Sequence, residues 1–109
     1  MDEKDAITML GALSQEMRLR IIRYLIGRGE EGASAGEIAE AMDAISSKAS
    51  FHLSALERAD LITSERQSRK IIYRVSFLGL GGLLSFILND CCSNHPDIRE
   101  HCGLPNFDC

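Results

Sequence analysis

Ser50-Phe51-His52-Leu53-Ser54-Ala55-Leu56-Glu57-Arg58-Ala59-Asp60-Leu61-Ile62 is the stretch on which the fold turns. Leu53 and Leu56, with Ala49 just ahead, recur at i, i+4 and i+7, the spacing of one helix face. That seam predicts a helix capped by Ser46 or Ser47 and running to about Ala59, with Ser46, Ser47, Ser50, Phe51 and Ser54 turned outward. A phenylalanine among small hydroxyls is hard to place on an ordinary solvated face.

Upstream, Ser34-Ala35-Gly36-Glu37 has the Ser-x-x-Glu pattern of a capping box and opens a short helix with Ile38, Ala39 and Met42 inward. Only Asp43-Ala44-Ile45 separates it from the helix above, so the two read as a helix-turn-helix. Earlier still, Ala6, Ile7, Leu10 and Leu13 predict a first helix. Met17, Leu19, Ile21, Ile22, Leu25 and Ile26 predict a second, capped by Ser14, with Arg18, Arg20 and Arg23 on its solvated side. Downstream, Leu61-Ile62-Thr63-Ser64-Glu65 and Ile71-Ile72-Tyr73-Arg74-Val75 are strand-like runs flanking the basic turn Arg66-Gln67-Ser68-Arg69-Lys70. Residues 77–88 form a last helix, apolar nearly all round, which is most simply buried against a second subunit. Residues 89–109 have no period and read as a tail. The expected architecture is mainly α with a small β-hairpin, a winged helix-turn-helix. Residues 1–90 would be the DNA-binding and dimerisation domain, and residues 91–109 a cysteine-rich sensor tail.

Composition sets the limits. A chain of 109 residues with 45% apolar and 26% charged types suits one small globular domain. Its twelve-residue apolar run is short of the roughly 20 that cross a bilayer, and its acidic start is unlike a secretory signal, so a cytoplasmic protein without a membrane partner is expected. The net charge of −4 is unevenly spread: residues 46–74 carry six basic and three acidic groups, while both flanks are acidic. A local basic face can still steer toward phosphates.

Two motifs carry a family resemblance. Leu13-Ser14-Gln15-Glu16-Met17-Arg18-Leu19-Arg20-Ile21-Ile22 resembles the start of the second helix of the arsenic-repressor (ArsR/SmtB) family, and residues 50–62 resemble its recognition helix and strand entry. The resemblance covers about residues 5–88. It implies a homodimer joined through its first and last helices, repressing transcription until a metal or metalloid loosens it from operator DNA. The family's founding thiol positions are Ser34, Gly36 and Ala39 here, and residues 77–88 hold neither Asp nor His for its zinc site. Any sensing has therefore moved.

The cysteines show where. All four, Cys91, Cys92, Cys102 and Cys109, fall in the last 19 residues. Trivalent arsenic and antimony favour a pyramid of three soft thiolates. Cys91 and Cys92 are adjacent, and a nine-residue loop returns Cys102, whereas zinc prefers four ligands and wider spacing. The resemblance, too, implies As(III) or Sb(III) as inducer. The alternatives are incidental thiols, a zinc-type site using His95 and His101, and a redox or persulfide switch between Cys92 and Cys102. Cys109 is a spare ligand or idle.

The expected DNA contacts are Ser46, Ser47, Lys48, Ser50, Phe51 and Ser54 on the helix, with Arg66, Arg69 and Lys70 on the wing. A two-fold dimer implies inverted half-sites one helical turn apart. His52 is expected to bond within the fold. An enzyme such as a thiol-dependent arsenate reductase is disfavoured, because Cys92 and Arg99 are separated by six residues where an anion cradle needs five.

Overall fold

The structure, a computed structural model, describes residues 1–91, 93 and 95–103, with only the backbone of Asp90 and Cys91. Helices α1 (Glu3–Leu13), α2 (Glu16–Arg28), α3 (Ala35–Ala41) and α4 (Ser46–Arg58) precede α5 (Phe77–Phe86) and α6 (Pro96–His101). A three-stranded antiparallel sheet contains β1 (Ala33–Ser34), β2 (Ile62–Gln67) and β3 (Lys70–Val75), in the order β1-β3-β2. The expected winged helix-turn-helix is what forms, with α3 and α4 as the helix pair and β2–β3 as the wing.

Its core lies where α2, α3, α4 and the base of the wing meet. Ile21, Leu25, Ile38, Leu53, Leu56 and Leu61 are fully buried there. The third strand was not expected. Ala33 pairs with Tyr73 and Ser34 with Ile72, which stitches the α2–α3 loop to the wing. Gly32 makes this approach possible: its φ is 66°, and a Cβ there would meet the Tyr73 carbonyl at 2.5 Å.

Several local expectations are corrected. Ser14 does not cap α2; its hydroxyl donates to the Gly11 carbonyl at 2.9 Å, and Gln15 Oε1 accepts the Arg18 amide instead. Neither Ser46 nor Ser47 caps α4, because the helix begins one residue early and Ile45, which has no capping group, holds the cap position. The box at Ser34 is complete: its hydroxyl accepts from the Glu37 amide and the Glu37 carboxylate accepts from the Ser34 amide. The wing strands run into the basic segment, leaving a two-residue turn with Ser68 at φ 57° and Arg66 opposite Ile71.

The outer helices are less covered than their periodicity suggested. On α1 the buried side chains are Ala6, Met9 and Ala12, while Ile7 and Leu10 face out; Leu19 and Ile26 of α2 do likewise. On α5 only Leu83 is buried. Its first turn comes so close to the end of α4 that a Cβ on Gly79 would run into the Asp60 carbonyl. Beyond α5 the chain is not a featureless tail: a π-type turn spans Ile87–Cys91, and α6 follows. Pro96 opens α6, and His95 Nδ1 accepts the Asp97 amide at 3.2 Å, so local caps supply what periodicity lacks.

Candidate nucleic-acid interface and thiol tail

Between α3 and α4 the chain reverses at Asp43 (φ 53°), held by Asp43 N–H to Glu40 O at 3.1 Å and Ala44 N–H to Ala39 O at 3.0 Å. This tight turn fixes the start of α4. Burial of Ala49, Leu53 and Leu56 against the core then fixes its rotation. Ser46, Ser47, Lys48, Ser50, Phe51 and Ser54 are all exposed as a result, Phe51 at 62%.

Arg66, Arg69 and Lys70 are exposed on the wing. A cleft of about 460 Å³ is lined by Ser50 of α4, Arg69, Lys70 and Tyr73 of the wing, and Ser34 and Gly36 at the start of α3. The fold thus brings Ser50 to the same concavity as two wing cations. Arg66 does not line it. Tyr73 is half-buried, and burial, with the Glu57 carboxylate second, pushes its hydroxyl above the usual range, so it stays protonated.

Beneath the exposed face, Arg18 of α2 crosses to α4. Its Nε donates to His52 Nδ1 at 3.1 Å, and its Cζ lies 5.8 Å from the centre of the Phe51 ring. The Phe51 and His52 rings meet edge-to-face with centroids 5.4 Å apart. His52 is buried, as expected of a residue bonded within the fold. Burial, then Arg18 and Lys48, hold its imidazole below its ordinary pKa, which keeps Nδ1 free to accept.

At the other end, Cys102 is an exposed free thiol at the C-terminal cap of α6, its amide bonded to Ile98 O at 3.1 Å. With Ile98 it faces Leu84, Ile87 and Leu88 across an apolar cavity of about 530 Å³. So α6 folds back and sets Cys102 near the end of the closing helix. Cys91 ends the π-type turn; Cys92 and Cys109 lie outside the described residues. Among the described residues no group of three or more His, Cys, Asp and Glu side chains is arranged to hold a metal ion. His95 Nδ1 is taken by its helix cap, and His101 is exposed. Among those residues, also, no helix is long and apolar enough to cross a membrane.

Residues 13–65, the α2–α4 unit with the first wing strand, match the helix-turn-helix domain family. An uncharacterized HTH-type transcriptional regulator, YceK of Bacillus subtilis (strain 168), is 37% identical over 68 residues, 62% of this chain and 67% of that protein. The chain belongs to the helix-turn-helix transcriptional regulators. This regulator's fold is that of the ArsR-like proteins. An ArsR-like transcriptional regulator from Rhodococcus sp. RHA1 superposes with a TM-score of 0.71 at 24% identity, covering 91% of this chain and 89% of that one. The homodimeric winged helix-turn-helix DNA-binding domain of Mb0332 from Mycobacterium bovis superposes with a TM-score of 0.64 at 23% identity, covering 85% and 86%.

Two residues that line or underlie this face are not evident from the apolar pattern of the sequence. Tyr73 was read only as a strand residue, and Arg18 was assigned to solvent. The signal for Arg18 was available, since it opens the Arg-Leu pair of the second-helix motif and lies in the first turn of α2.

Proposed function

We propose that this regulator is a homodimeric repressor that holds operator DNA until As(III) or Sb(III) binds Cys91, Cys92 and Cys102. The observation that carries the sensing half is the return of Cys102, by α6, to the apolar cavity at the end of the closing helix. That fold-back leaves little loop to order when three thiolates gather on one metalloid, which lowers the closure cost. The older thiol positions are committed elsewhere: Ser34 closes its capping box, and Ala39 is buried core.

The dimer half rests on uncovered apolar side chains. Ile7 and Leu10 of α1, with Phe77, Leu78 and Leu84 of α5, are between 45% and 91% exposed, a surface that suits a second copy of the same helices. Two copies would present two α4 helices and two wings to inverted half-sites. There Ser46, Ser47, Lys48, Ser50, Phe51 and Ser54 read or position, while Arg66, Arg69 and Lys70 grip the backbone. Residues 1–90 would then hold and dimerise, and residues 91–109 would sense. Metalloid capture draws the tail against the closing helix and alters how the two α4 helices are spaced, a coupling of about 1–3 kcal/mol in DNA affinity.

The test is operator release. Arsenite should dissociate the wild-type complex and protect three thiols from alkylation, and Cys92→Ser should abolish both effects. Full release of Cys92→Ser by arsenite refutes the assignment. Release by peroxide alone, without metalloid, would move the chemistry to thiol oxidation.

A further inference from the structure

Arg18, Arg28 and Arg74 are half-buried in the body of the fold, and they are not equivalent. Arg28 is consumed by Glu31, Glu37 and the Gly32 carbonyl, at 3.4, 3.3 and 2.8 Å. Arg74 is consumed by Glu65 at 3.8 Å and by the Glu30 carbonyl. No carboxylate pairs with Arg18 among the described residues; the one hydrogen bond of its guanidinium there goes from Nε to His52 Nδ1. A cation in the first turn of a helix also runs against the helix dipole, so α2 gains nothing from its charge there.

The pin on His52 has a directional effect. Holding Nε leaves Nη1 and Nη2 of the planar guanidinium as its remaining donors, and Cζ lies 5.8 Å from the centre of Phe51, the exposed ring that stands with Ser47, Ser50 and Ser54 on the outward face of α4. A planar fork pre-set in this way suits a phosphate, which takes paired N–H donors.

We propose that Arg18, although it lies outside the α3–α4 pair, is a DNA-contacting residue: fixed by His52, its Nη edge takes a backbone phosphate next to the groove that Phe51 enters, and so sets the register of α4. The inference rests on the reading of α4 as the DNA-reading helix and is independent of what the cysteines bind.

Operator duplex is titrated into the full-length, fully reduced protein across a salt series without metalloid. Arg18→Gln should weaken binding at least tenfold and make the slope of log K against log salt shallower by about two for a dimer, one per arginine. His52→Asn, which puts an oxygen acceptor near the Nδ1 position, should keep the wild-type slope. Thermal unfolding of each variant checks the fold. An Arg18→Gln protein that melts earlier but keeps the wild-type slope makes Arg18 only a tie between α2 and α4, and overturns the proposal. Should that variant not fold, Arg18→Lys is compared with the wild type on duplexes carrying single methylphosphonates. A phosphate whose neutralisation costs the wild type at least threefold more supports the contact, and equal costs everywhere overturn it. A wild-type protein that binds no duplex removes the DNA reading itself; a wild-type protein that binds while Arg18→Gln equals it removes this inference alone.

Discussion

Helices α4 and α5 make opposite use of apolar side chains. The first is amphipathic and buries Ala49, His52, Leu53 and Leu56, so nothing on its inner face is left over. The second is apolar on nearly every side, yet it buries only Leu83 and leaves Phe77, Leu78 and Leu84 in the open. Apolar content therefore does not locate the core of this molecule. The core closes around α2, α3, α4 and the wing base, and α5 is laid along it with most of its surface still unmatched.

Substitutions can break this contrast. Leu53→Ala, at a fully buried position, should cost about 2–5 kcal/mol in urea unfolding. Leu78→Ala, at a position 91% exposed, should leave the monomer within about 0.5 kcal/mol while lowering self-association in sedimentation. Equal losses from the two would mean that α5 belongs to the body after all. Gly79→Ala should be the exception on α5, costing about 1–3 kcal/mol, because its Cβ meets the Asp60 backbone.

The caps sharpen the same comparison at smaller scale. Ser34→Ala should cost about 1 kcal/mol by opening a complete capping box. Ser46→Ala should scarcely change the melting temperature, since Ile45 holds the cap position of α4, yet it should weaken operator binding. The smallest effect is one of pH. His52 has a depressed pKa in the fold, so on acidification through 6.5 the unfolded chain gains a proton that the folded chain refuses. Stability present above that pH should decline below it, and His52→Asn should flatten the decline.

What the sequence disclosed followed from local rules. The α3–α4 pair was legible because a 3.6-residue seam and a Ser-x-x-Glu box act within a few residues of themselves, and the outward set on α4 follows from the same seam. The caps of α2 and α4 fall one or two residues from the serines that the pattern offers: Gln15 supplies the acceptor while the Ser14 hydroxyl donates to Gly11, and Ile45 takes the place with no acceptor at all. The strand β1 has two residues and no pattern to show; it exists because β3 has a free edge there. Helix α6 has no periodic seam and depends on His95 and Pro96. Ile7 and Leu10 share the helical spacing of α1 yet stand exposed, because periodicity gives a face and not what covers it. The meeting of Ser50 with Arg69 and Lys70 needed the wing to return over α3, and no spacing in the chain encodes that.

The stitch between β1 and β3 limits how this protein can adjust its hold on a duplex. With Ala33 and Ser34 laddered to Tyr73 and Ile72 and Gly32 pressed on the Tyr73 carbonyl, the hairpin is fastened along β3, and only its tip at Ser68 and Arg69 lies beyond that ladder. The α3 entry and the wing are thereby tied as one piece, so the wing cannot change its angle to α3 without breaking that two-residue ladder.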